Sequence, residues 1–357
     1  MSMVGKEIVF GAIMEEHKAE LHKVVLPPLQ PGELLLKMEK INLCTTDYQH
    51  WMGLRNHYGF PRAAGHEYAG IIVEKGNEVT EDFAIGDRVS GGYASCGYCE
   101  YCLEGYSSEC KNKPGDPYGR YAKDFRGGKA FANYMILDQR GAVKVSNKIP
   151  AEQASFLEPA ATVVECMHKA RLMPAETVVV VGAGTMGIVN AQVANAYGAR
   201  VIVSDISDKK VECAKGMSIA EVIHAGKEDP VAKVMELTEG KGADVVIAAV
   251  GSTIAYKQCL QMLRHFRGRF IIFPAGYPKP ELNIDPNEMH YRKMEVIGAY
   301  ESNDYGNLVA SRLLSYGKID MSYALEGKTF PLSKINEAFA AAATPDSYRV
   351  TIDLQDI

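Results

Sequence analysis

Long apolar runs, an excess of basic charge, low-complexity tracts and solenoid repeats are all missing from this chain. No stretch approaches the ~18 uninterrupted apolar residues that a membrane-spanning helix needs. Lys and Arg total 39 against 44 Asp and Glu, a net charge of −5, so the basic face of a nucleic-acid binder is not expected. The opening residues carry Lys6, Glu7, Glu15 and Glu16 where a secretory leader would need an unbroken apolar core, so we expect a cytoplasmic protein. What is present is ordinary for soluble domains, 47% apolar and 23% charged residues. The length of 357 residues exceeds the ~250–300 that one core accommodates, which predicts two domains.

The first ~150 residues alternate short β-branched runs (33–38, 70–74, 87–90) with breakers such as Pro27, Pro28, Gly76 and Gly86, which predicts a compact β domain. A polar loop follows over 105–129, before a strand near 131–137. After Pro174 the texture changes. Apolar strands over 177–181, 200–204, 243–250 and 269–273 alternate with helical segments near 188–197 and 254–265, the pattern of a doubly wound parallel sheet. A helix near 332–343 and a strand over 348–354 close the chain. The fold class is α/β.

Gly182, Ala183, Gly184, Thr185, Met186 and Gly187 fit the G-x-G-x-x-G pattern between a strand and a helix. Such a turn brings backbone N–H groups and a helix N-terminus against a dinucleotide pyrophosphate. Asp205 ends the next strand, where an acid meets the adenosine ribose. A 2′-phosphate about 4 Å from that carboxylate would be repelled by ~4 kcal/mol at an effective dielectric of 20, so NAD is expected over NADP. Val250, Gly251, Ala275 and Gly276 end later strands and are expected on the nicotinamide side.

Eight cysteines divide unevenly. Cys96, Cys99, Cys102 and Cys110 fall within fifteen residues, spacing suited to a closed tetrahedral zinc site with no position left for substrate. Their last gap is too long for a bacterial ferredoxin cluster. Cys44 and His66 stand apart and, taken singly, read as core residues.

Together they carry a resemblance. Gly65, His66, Glu67, Gly70, Gly76 and Val79, followed by Gly86, Asp87, Arg88 and Val89, resemble the zinc motif of the medium-chain alcohol dehydrogenases, and the cysteine lobe and glycine turn follow in order. The segment Leu157, Glu158, Pro159 and Ala160 is most similar to the sorbitol, threonine and sugar-acid branch. The resemblance implies a GroES-like β domain from 1–157 and 293–357 with a Rossmann domain inserted at 158–292, and a cleft between them. It also implies one structural and one catalytic zinc, the latter held by Cys44, His66 and either Glu67 or Glu158. Thr46 matches the hydroxyl that bonds the reacting oxygen, and His50 is a candidate proton relay, displaced by one place from the family position. A homodimer or homotetramer is implied, joined through edge strands near 269–274.

The expected reaction is NAD-dependent oxidation of a secondary alcohol in a polyol or amino polyol. Zinc lowers the pKa of bound water from 15.7 to about 7, and a similar effect on an alcohol prepares it to give up hydride. Glu301, after Tyr300, stands where the polyol branch carries arginine, and would favour a hydroxyl-rich or cationic substrate. The alternatives are a threonine-type amino alcohol acid or a sugar acid. The loop over 115–128 adds Tyr118, Arg120, Tyr121, Lys123 and Arg126, either a cleft cap or a solvated patch. A zinc-stabilised quinone-reductase-like or NAD-sensing protein would need no open metal position, which Cys44, His66 and two nearby acids argue against.

Overall fold

The computed structural model describes residues 3, 5–92, 94–113, 120–276 and 278–357; Tyr118 lies outside them. It divides into two compact units, one of 1–161, 302–317 and 325–357, the other of 162–301 and 318–324.

The first unit begins with a hairpin of β1 (Glu7–Glu15) and β2 (Lys18–Val25), then β3 (Glu33–Asn42), β4 (Glu67–Lys75), β5 (Arg88–Gly91), β6 (Tyr134–Asp138) and β7 (Ala142–Lys144). The second unit contributes β8 (Thr177–Val181), β9 (Arg200–Asp205), β10 (Ala220–His224), β11 (Val245–Ala248), β12 (Arg269–Ile272) and β13 (Glu295–Gly298). The chain then returns to the first unit with β14 (Leu325–Pro331) and β15 (Arg349–Asp353).

In the first unit the sheet order is β14-β15-β3-β4-β5-β7, with β6 also paired to β3. Its core gathers Leu34, Leu36, Met38 and Ile41 from one long strand with Ile72, Phe131, Trp51 and Phe339. Burial on both faces at the start of β3 explains the apolar run Leu34, Leu35 and Leu36, whereas Lys37 beyond it is exposed. The second unit is a six-stranded parallel sheet of order β10-β9-β8-β11-β12-β13, the doubly wound arrangement whose ligands sit at the carboxyl ends of the strands.

Two boundary expectations shift. β13 pairs residue for residue with β12, Arg269 opposite Glu295, so the inserted unit extends to Glu301 rather than ending at 292. The same pairing makes β12 an interior strand; the sheet's edges are β10 and β13, so residues 269–272 present no free edge for a subunit contact. Among the described residues no helix is long and apolar enough to cross a membrane.

Candidate functional site

β3 and β4 are antiparallel, with Asn42 opposite Glu67. Cys44, two residues beyond one strand, and His66, one residue before the other, therefore arrive at the same end of the sheet. Cys44 also caps the helix Thr45–Trp51. One ligand atom from each of Cys44, His66 and Glu67 lies within 4.8 Å of the others. Asp47 fixes this corner from inside: it accepts from the Cys44 N–H and the Gly65 N–H, both at 3.2 Å, and lies 3.7 Å from His66 Nδ1. A carboxylate behind a ligating imidazole sets its tautomer and orientation.

Arg349 on β15 closes the other side. Its Nε and Nη2 donate to the two oxygens of Glu67 at 2.8 and 2.7 Å, and Nη2 reaches Cys44 Sγ at 3.4 Å. Both side chains are almost wholly buried, at 6% and 1% exposure. Burial opposes the Arg349 charge, but Glu67 and Cys44 outweigh it and hold the guanidinium protonated.

The remaining charge is lopsided. Burial works against a charged His66, yet Asp47, Cys44 and Glu158 hold its pKa well above the ordinary value. Burial and neighbouring Glu67 push the Asp47 carboxyl up, against the pull of His66. A thiol, an imidazole and carboxylates gathered at one point are donors that suit zinc. The residues fit the ion. Glu158 enters from the first turn of the helix Leu157–Lys169 and acts on His66 through its charge. Thr46 is half-buried on the first turn of the Cys44 helix.

His50 corrects an expectation. It is 1% exposed, its Nδ1 donates to the Arg55 carbonyl at 3.1 Å, and its ring stacks on Phe60 at 4.5 Å. Burial lowers its pKa. A side chain enclosed in this way does not hand a proton to bulk water.

The four-cysteine lobe is a closed set. Cys99 and Cys102 sulfurs are 3.5 Å apart, Cys96 and Cys102 3.9 Å, and Cys99 and Cys110 4.0 Å. Four sulfurs at 2.3 Å from one ion would sit about 3.8 Å apart, so this cage fits tetrahedral zinc. Backbone N–H groups of Cys99 and Cys96 already point at Cys96 and Cys110 sulfurs, both at 3.3 Å. The backbone N–H groups of Cys102 and Lys111 lower the Cys99 thiol to about 6, while burial raises Cys102 to about 11.

In the second unit, β8 ends at Val181 and the helix Thr185–Ala196 starts after Gly184. Gly182 has φ +101, and a Cβ on Gly187 would stand 1.8 Å from the Gly182 carbonyl oxygen, so neither position accepts a side chain. Around Gly184 the nearest atom to such a Cβ is Lys210 Nζ at 3.8 Å, which leaves the helix N-terminus open to an anion. Thr185 is buried in the first turn beside Met186. Asp205 accepts from the Ala183 N–H at 2.6 Å and the Ser207 N–H at 2.8 Å, so it rests against the glycine turn. Val250, Gly251, Ala275 and Gly276 converge there: a Cβ on Gly182 would meet Val250 at 2.6 Å, and one on Gly251 would meet Gly276 at 2.4 Å. These contacts form a cradle for a dinucleotide. Tyr300 is exposed, and Glu301 is half-buried with φ +58, directly after β13.

Three residues of these sites carry no local signal in the sequence: Asp47, Arg349 and Lys210. Only Asp47 was within reach, three residues beyond the metal-type cysteine and facing it across one helical turn.

Comparison with known proteins agrees with this geometry. Residues 30–147 match the alcohol dehydrogenase GroES-like domain, and residues 182–314 match the zinc-binding dehydrogenase domain. L-threonine 3-dehydrogenase of Chromobacterium violaceum is 30% identical over 339 residues, covering 94% of this chain and 96% of that one. Benzyl alcohol dehydrogenase of Acinetobacter calcoaceticus superposes with a TM-score of 0.84 at 24% identity, covering 98% and 99% of the two chains. A Sinorhizobium meliloti protein bound to NADP gives a TM-score of 0.83 at 23% identity, again over 98% and 99%. The chain belongs to the zinc-dependent medium-chain alcohol dehydrogenase family.

Proposed function

We propose that this protein oxidises a secondary alcohol flanked by polar groups, with NAD as the acceptor. The observation that carries the reading is the convergence of Cys44, His66 and Glu67 at one end of the sheet, with Asp47 and Arg349 holding them in place. Zinc bound there supplies the Lewis acidity that makes a substrate hydroxyl acidic. NAD supplies the hydride acceptor.

The chain's own residues do the rest. Cys44 and His66 bind the ion, with Asp47 orienting the imidazole. Glu67 completes the cluster with Cys44 and His66 although both its oxygens are engaged by Arg349, while Glu158 acts on His66 through its charge; either acid would supply the third donor. The Thr46 hydroxyl would accept a hydrogen bond from the substrate hydroxyl at the reacting oxygen. Asp205 against the glycine turn favours NAD, because a 2′-phosphate there would meet a carboxylate. Lys210, beside Gly184, adds a cation to the cofactor's phosphate and ribose end.

Two substrate readings have support. Glu301 favours a polyol or amino polyol; the L-threonine 3-dehydrogenase relative favours an amino alcohol acid. A panel of polyols, amino polyols, sugar acids and threonine, followed by NADH absorbance with NAD and then NADP, tests the proposal. Turnover of at least one member with NAD, and at least tenfold lower kcat/KM with NADP, is expected. Preference for NADP would refute the role given to Asp205.

A further inference from the structure

Four of the first unit's eight arginines are paired with carboxylates. Arg88 pairs with Glu39, Arg120 with Glu33, Arg140 with Asp138 and Arg349 with Glu67. Arg62 and Arg126 differ: among the described residues neither has a carboxylate partner. Yet they are neighbours. Their backbones form a parallel bridge, and the Ala63 N–H donates to the Arg126 carbonyl at 2.8 Å.

Their guanidinium groups converge on one corner. Arg62 lies 4.4 Å above the Tyr58 ring, and Arg126 Nη1 is 3.8 Å from where a Cβ on the adjacent Gly59 would stand. His57 packs its ring against Tyr58 at 4.2 Å. The two guanidinium groups lie against adjacent residues, and each presents several N–H donors in a planar fork suited to an oxyanion.

The corner is tied to the metal-type cluster. Residues 62–65 lead directly into His66, and residues 126–130 run beside them; a Cβ on Gly128 would meet the Gly65 carbonyl oxygen at 2.6 Å. Four residues of extended chain span at most about 14 Å, so Arg62 is anchored within one small substrate's length plus a side chain of His66.

We infer that Arg62 and Arg126 form an oxyanion subsite, which takes the carboxylate or phosphate of an acidic secondary alcohol whose hydroxyl is oxidised at the Cys44–His66 cluster. This inference rests on the proposed dehydrogenase function, and chooses the acidic substrate class over the neutral polyol.

The test compares the native, zinc-loaded enzyme with Arg126→Gln and Arg62→Gln. Matched pairs that differ only in the anionic group, L-threonine with L-threoninamide and gluconate with sorbitol, are assayed by NADH formation. In parallel, inorganic phosphate binding is measured by calorimetry at constant ionic strength. The acid-to-neutral ratio of kcat/KM should fall at least tenfold in each variant, and phosphate should bind each at least tenfold more weakly than it binds the native enzyme. Equal phosphate binding by native and variant proteins, or none by the native protein, overturns the subsite. Absence of NADH from every substrate would instead count against the dehydrogenase reading, while the phosphate result still decides the subsite.

Discussion

The two metal-type clusters of the first unit obey opposite rules. In the lobe, four like donors satisfy one another and the local backbone, and all come from fifteen consecutive residues. At the sheet end, a thiol, an imidazole and carboxylates are gathered from distant parts of the chain, and a buried arginine already occupies one of the acids. A closed cage of equivalent ligands leaves no position for chemistry. In the reading proposed here, a mixed cluster with one acid committed to an arginine would hold its ion with fewer equivalent donors and leave room for a substrate oxygen. The contrast is the ground for proposing a structural role for one site and a reactive one for the other.

That contrast can be broken by substitution. Cys44→Ala should lower kcat/KM by at least about a thousandfold while far-ultraviolet circular dichroism stays native, because the lost ligand belongs to chemistry rather than to the fold. Arg349→Met should destabilise the protein by about 3–5 kcal/mol in urea denaturation, since it strands a buried Glu67 charge. Adding Glu67→Gln to it should recover much of that loss. Asp47→Asn should weaken zinc binding at the catalytic cluster by roughly 10–100-fold in chelator competition, leaving the lobe's ion in place.

The smallest effect concerns acid. Burial raises the Asp353 carboxyl, but its hydrogen bond from Lys40 and the Gln355 N–H outweigh this and lower it. A depressed carboxyl contributes stability above the ordinary aspartate value near 3.9, and that contribution disappears as pH falls through the lower, folded value. At a half-buried pair this amounts to less than about 1 kcal/mol. The urea midpoints of native protein and Asp353→Asn should therefore draw together as pH drops from 7 to below 4.

What the sequence made legible follows the same division. The cysteine lobe and the glycine turn are local: spacing alone fixes which atoms meet, as the sulfur distances and the Gly182–Gly187 approach bear out. The doubly wound sheet was readable because its strands are buried on both faces and so form unbroken apolar runs. β10 was not, since an edge strand with half-exposed Ala220, Glu221 and Val222 carries no such run. Arg349 lies 282 residues from Glu67, and only the pairing of β15 with β3 brings them together. No spacing rule reaches that far. His50 misled for a related reason: proximity to Cys44 in sequence says nothing about which way a helix turns its side chains, and here the ring faces Phe60.

Metal analysis of the purified chain beside Cys44→Ala tests the central claim most directly. The account predicts two zinc ions in the native protein, one for each cluster, and one in the variant, whose dehydrogenase activity is gone. Full activity in protein verified to have lost the second ion would contradict it.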